Sequence, residues 1–212
     1  DVWDIERDAA RWSGGSPVIA HPPCRGWGRL RKFANPRPGE KQLALWAVEN
    51  VRRWGGVLEH PSGSTLWDAA GLPRPHHRSR RSARFGHCDE VTPRRDEYGG
   101  WTLSVSQKWW GHKAEKRTWL YICGIEPGSI PAFPIVLGDA SHVVSGNNRH
   151  ARPSVTKAER EHTPYDFAVW LRDLAQLCEE SSVLPRRGFG SSIAADFGEA
   201  RRADPGRGSP PP

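Results

Sequence analysis

Two residues stand in settings that could do chemistry. Cys24 follows an apolar run in Ser16-Pro17-Val18-Ile19-Ala20-His21-Pro22-Pro23-Cys24-Arg25-Gly26-Trp27-Gly28-Arg29, and Glu59 sits in Val57-Leu58-Glu59-His60-Pro61. A cysteine attacks as its thiolate, and neighbouring cations favour that form. Arg25, Arg29, Arg31 and Lys32 crowd the loop after Cys24, which Gly26 and Gly28 loosen. A carboxyl near such a thiol could exchange a proton with the group under attack. Taken singly, each stretch also has a plain reading: an inert cysteine after a Pro-Pro turn, and a solvated or capping carboxylate.

The elements around the two residues decide whether they can meet. Val18-Ile19-Ala20 reads as a short buried strand, ended by Pro22-Pro23 because proline offers no ladder N–H and holds φ near −65°. Leu43, Trp46, Ala47, Val51 and Trp54 form an apolar stripe, which predicts a helix over 40–54 closed by Gly55-Gly56. Val57-Leu58-Glu59 then repeats the strand-and-proline pattern. Strand, helix and strand in that order form a right-handed crossover with parallel strands. Both tips then face one way, so Cys24 and Glu59 could share a pocket.

The 212 residues carry a net charge of +7, with 11 Trp, 19 Pro, 22 Gly and no Met. The isoelectric point is near 9.6. This balance suits a polyanionic partner, and the length predicts one main domain, over 1–180. The missing Met points to a natural start upstream. Cys24, Cys88, Cys123 and Cys178 lie far apart without a CxxC pair, which favours a reducing cytoplasm over a disulfide framework. No apolar stretch reaches membrane-spanning length, and no signal-peptide pattern opens the chain.

Elsewhere the patterns vary in strength. Val2, Ile5, Ala9 and Trp12 have the spacing of a short helix. Arg74, His76, His77, Arg78, Arg80, Arg81 and Arg84 form a basic run, readable as a solvated loop or as a phosphate-contact surface centred on Arg78, Arg80 and Arg81. Trp101 to Gln107 alternates like a half-exposed strand, and Trp119 to Cys123 reads as a more buried one. Between them, Lys108 to Arg117 mixes aromatics with cations, which suits base stacking or a Trp-supported hairpin loop. Residues 125–155 show little pattern. Thr163 as cap and Pro164 in the first turn predict a last helix that buries Phe167, Trp170, Leu171, Leu174 and Cys178. The Gly-, Ser-, Arg- and Pro-rich 181–212 is expected to be a disordered tail.

The Pro-Pro-Cys motif, the strand ending in Glu59, and the Lys116-Arg117 loop before an aromatic strand resemble, in that order, the catalytic portion of the DNA cytosine-C5 methyltransferases. The resemblance spans about 16–178. It implies an α/β, Rossmann-like methyltransferase-type sheet. It makes Cys24 the nucleophile, Glu59 the family's glutamate and Arg117 the arginine of its Gln-x-Arg-x-Arg motif. It places Pro23, Arg25, Arg29, His60 and Lys116 around the base, and Asp4 and Pro22 toward S-adenosylmethionine. His60 stands where the family has Asn, Glu115 where it has Gln, and Trp119 where it has the second Arg. The chemistry implied is addition of the thiolate to C6 while the glutamic acid protonates N3, which turns C5 into an enamine carbon. The base must leave the duplex to be reached. The cell implied is bacterial or bacteriophage-infected.

The family's Phe-x-Gly-x-Gly strand-turn for the cofactor has no counterpart in the fifteen residues before the motif. The sheet is therefore expected to be truncated at its cofactor-binding half. The Val18-Ile19 strand is expected at an edge, covered by a second copy or a separate cofactor-binding subunit. Two other classes stay open. One is a metal- or water-using pyrimidine-modifying enzyme in which His21, His60 and His112 converge near Cys24; the other is a non-catalytic DNA-binding relic or subunit.

Overall fold

The computed structural model describes residues 2, 4, 7–75, 92–144 and 152–179. In chain order its elements are β1 (Val18–Ala20), α1 (Glu40–Trp54), β2 (Gly56–Pro61), α2 (Leu66–Ala69), β3 (Trp101–Ser106), β4 (Arg117–Cys123), α3 (Lys157–Glu161) and α4 (Tyr165–Gln176). The strands form an open mixed sheet in the order β1-β2-β4-β3.

The crossover expected from sequence is present. β1 pairs parallel with β2, with Val18 opposite Gly56 and Ala20 opposite Leu58. α1 runs over the expected residues, but its buried face is Ala44, Ala47, Val48 and Val51: of the expected stripe only Ala47 and Val51 are fully buried, while Leu43, Trp46 and Trp54 stay half-buried beside it. Gly55, at φ 75°, stops it. Gly56 allows the strands to close up: its φ is 114°, and a Cβ there would lie 2.1 Å from the Val18 carbonyl oxygen. Only glycine tolerates that combination.

Sequence periodicity did not give the strand order. β4 inserts between β2 and β3 and is antiparallel to both, so β3 runs parallel to β2. Side chains alternate across the sheet. Leu58, Trp119, Tyr121 and Cys123 pack with α1, Leu66 and Trp67, while Val57, Leu120 and Ile122 pack with Phe167, Leu171 and Leu174 of α4. The result is a mixed α/β domain with helices on both faces of the sheet.

Several local expectations change. Among the described residues, the proposed helix from Val2 to Trp12 shrinks to a 3₁₀ turn, Ala9–Arg11, capped by the Asp8 side chain. β3 keeps the expected alternation in part: Trp101 and Val105 are buried in the cluster that also holds Phe167 and Leu171, Ser104 is exposed, and Thr102 is buried, accepting a 3.0 Å hydrogen bond from Trp67 Nε1. Trp110 is core, packed on Phe167 and Trp170, so the aromatic loop is the Trp-supported hairpin and Trp110 offers no ring to a base. α4 begins after Pro164 without the Thr163 cap. α3 was missed, although Thr156 and Glu159 form the capping box that its T-x-x-E spelling announces. Cys178 is buried, as expected. The 181–212 stretch lies outside the described residues.

Candidate functional site

The topology gathers four chain segments at one end of the sheet. β1 and β2 end there, β3 ends there because it runs parallel to β2, and antiparallel β4 begins there. The segments deliver His21 and Cys24, Glu59, Gln107, and Lys116 respectively. Ligands collect at such carboxyl edges because loops can converge there without breaking strand ladders.

Glu59 is the centre of the group. Its side chain is 14% exposed. His21 Nδ1 stands 3.1 Å from Oε2, and Gln107 Nε2 donates to Oε1 over 3.1 Å. The same Gln107 nitrogen donates to Thr118 Oγ1 at 3.0 Å, which ties the carboxylate to the start of β4. Burial alone would raise the Glu59 pKa, but the His21 hydrogen bond and charge, with Lys116 and His60 behind them, hold it below the ordinary carboxylate value. In the free protein Glu59 is thus a carboxylate.

Cys24 is exposed by area, yet its surroundings desolvate the charged sulfur. Desolvation is the largest contribution and the Glu59 carboxylate the next, so the thiol pKa is raised, with Lys116 and Arg25 pulling the other way. This corrects the expectation of a thiolate-favouring loop. Part of the reason is local: Arg25 forms an ion pair with Glu40 of α1. The Glu59 carboxylate is within electrostatic reach of Cys24, and no hydrogen bond joins the two side chains among the described contacts.

Lys116 is the cation of the site. Desolvation lowers its pKa, while Glu59 and Cys24 act to raise it. Its Nζ donates to the His162 carbonyl at 2.6 Å. It is the one non-glycine residue with positive φ among those described, at 31°. Such conformations persist where the surroundings over-determine them, and they cluster at functional sites.

The remaining expected residues divide. Pro22 and Pro23 are half-buried at the tip of β1, and Arg29 is exposed, its stem beside Gly63. Arg117 is 71% exposed and spends its Nε on Glu115 at 2.8 Å, so the cation that reaches Glu59 and Cys24 is the preceding residue, Lys116. His60 alternates to the opposite face of β2 from Glu59, fully buried near Trp67, and neither ring nitrogen has a partner. It is a core residue and cannot line the base site. Asp4 is exposed, and its Oδ1 accepts the Arg7 N–H at 3.1 Å. Arg78, Arg80 and Arg81 lie outside the described residues, while Arg74 at the start of the run forms a two-pronged pair with Asp68.

The histidine metal set does not form. His112 accepts from the Ala114 N–H at 3.0 Å and stands 3.0 Å from the Glu159 carbonyl, which occupies both ring nitrogens with backbone. Among the described residues no group of three His, Cys, Asp or Glu side chains could hold a metal ion. Sequence reasoning missed Gln107 and the pairing of His21 with Glu59. A glutamine at a strand end has no signature, and His21 joins Glu59 only through the parallel register of β1 and β2.

Compared with known proteins, the chain matches no family model, no curated protein and no solved structure.

Proposed function

We propose that this chain handles the base in a DNA cytosine-C5-modifying reaction of the methyltransferase type, with Cys24 as nucleophile and Glu59 as acid. The observation that carries the reading is the parallel register that sets the ends of β1 and β2 side by side, with Glu59 held there by His21 and Gln107 and with Cys24 and Lys116 within electrostatic reach of it.

Each residue has a defined task. Lys116 offsets the growing negative charge on the Cys24 sulfur. Glu59, turned by Gln107 and His21, presents an oxygen to N3 of a base seated over Cys24. Protonating Glu59 removes its Coulombic opposition to the thiolate, so the acid and the nucleophile reach their reactive forms together. Addition at C6 then leaves C5 as the nucleophilic carbon.

S-adenosylmethionine would supply the methyl group for C5. The described residues build no site for it: Asp4, the expected adenine contact, is exposed and bonded to its own turn. β1 is an edge of the sheet and pairs only with β2 among the described residues. A second chain carrying the methyl-donor half would dock on that edge, extending the sheet.

The test is covalent trapping on DNA containing 5-fluorocytosine, with S-adenosylmethionine and host extract present to provide any partner. Cys24→Ala should abolish the adduct and Cys123→Ala should leave it. An adduct that survives Cys24→Ala, or none with the wild type, would overturn the proposal.

A further inference from the structure

His21 is 41% exposed at the side chain, and Glu59 is 14% exposed. With Oε1 taken by Gln107, Oε2 is the oxygen left to carry a proton, and it faces His21 Nδ1 at 3.1 Å. An acid that must be reloaded in each turnover needs a path to water. The half-exposed imidazole supplies one, and histidine is the side chain suited to it near neutral pH. Among the described residues the other titratable groups whose charge reaches Glu59 are Lys116 before β4, Cys24 after β1 and, from the opposite face of β2, His60. Lys116 already donates to the His162 carbonyl, and His60 is sealed in the core.

We infer that His21 is the proton shuttle of this site, relaying protons between solvent and Glu59 Oε2; the inference rests on the Cys24–Glu59 reading above. In the forward step Cys24 releases its proton to water, and the thiolate pair forms the bond to C6. The C5–C6 π pair shifts to C4–C5, and the N3–C4 π pair takes the proton from Glu59 Oε2. The His21 Nδ1–H bond breaks as Oε2 is reprotonated, and water restores the ring. When C5 has taken an electrophile and lost its own hydrogen, the thiolate leaves and the N3 proton returns by the same route. His21 is a positioning and relay residue, since it acts through Glu59.

A proton from water can serve as the electrophile, so the step is measurable without a methyl donor. The full chain is incubated with mixed-sequence DNA tritiated at cytosine C5, and tritium release is followed from about pH 6 to about pH 9. Release should depend on Cys24. His21→Gln retains an amide donor but cannot relay, and should slow release by roughly tenfold to a hundredfold at the alkaline end while approaching wild type at the acid end. Added imidazole should restore part of the rate of His21→Ala. In parallel, carbon NMR of the Glu59 carboxyl in DNA-free protein should show its midpoint rising in His21→Gln. A wild-type rate and pH profile in His21→Gln would overturn the shuttle and leave the Cys24 reading standing. An unmoved Glu59 midpoint would overturn the pairing itself. A shifted midpoint with no Cys24-dependent release from wild type would locate the failure in the functional reading, and the shuttle would fall with it.

Discussion

Gln107 Nε2 donates to Glu59 Oε1 across 3.1 Å and to Thr118 Oγ1 across 3.0 Å, and Gln107 is fully buried. One amide thereby joins the tip of β2 to the starts of the turn after β3 and of β4, and it holds the carboxylate at a set rotation. Gln107 Oε1 meanwhile has no partner. Removing the side chain therefore costs a charge-assisted bond but also removes an orphaned acceptor. Gln107→Leu should change stability little, by about 1 kcal/mol either way, and raise the Glu59 midpoint. Denaturant melts and a carboxyl NMR titration check both parts.

Coupling between Cys24 and Glu59 should be readable without DNA. Glu59 raises the thiol pKa and Lys116 lowers it. Glu59→Gln should therefore speed alkylation of Cys24 by iodoacetamide at neutral pH, and Lys116→Met should slow it. Buried Cys123 and Cys178 should stay unreactive in the folded protein. Rates that do not respond in opposite directions would contradict the coupling.

His60 should make the fold acid-sensitive. Burial lowers its pKa from 6.5 to about 4. Between those values the unfolded chain binds a proton that the folded chain refuses, so stability is complete above the upper value and falls as pH drops toward the lower. The loss amounts to about 3 kcal/mol. His60→Leu, which also removes two unpartnered nitrogens, should raise the melting temperature at neutral pH and flatten this acid dependence. Thermal melts across the window decide it.

Gly56→Ala should separate β1 from β2. A Cβ would strike the Val18 backbone, which cannot yield as a flexible side chain would, at a φ that alanine resists. A cost of roughly 3 kcal/mol or more is expected. Because β1 positions both His21 and Cys24, the Glu59 midpoint should also shift in any folded fraction.

Association through β1 is the remaining expectation. Its three residues are all half-buried and its outer side is unpaired among the described residues. Light scattering on purified protein should show a dimer, or a defined complex once host extract is added as a source of a second chain. A monomer that captures no partner would count against the docking edge.

By itself the sequence determined the crossover at the heart of the fold. The stripe in α1, the glycines that end it and the two apolar runs closed by proline are local signals, and right-handed parallel connection follows from chain chirality. That was enough to bring Cys24 and Glu59 to one edge. It could not order β3 and β4, because a period of two says which residues share a face and nothing about which strand lies alongside. Only the tertiary structure inserted β4 beside β2, and with that register came Gln107 and Lys116 next to Glu59 and the exclusion of Arg117. Tertiary packing likewise decided the charge of the site. A basic loop in sequence suggests a lowered thiol pKa, but desolvation and one carboxylate brought in from β2 outweigh cations that are exposed or paired elsewhere.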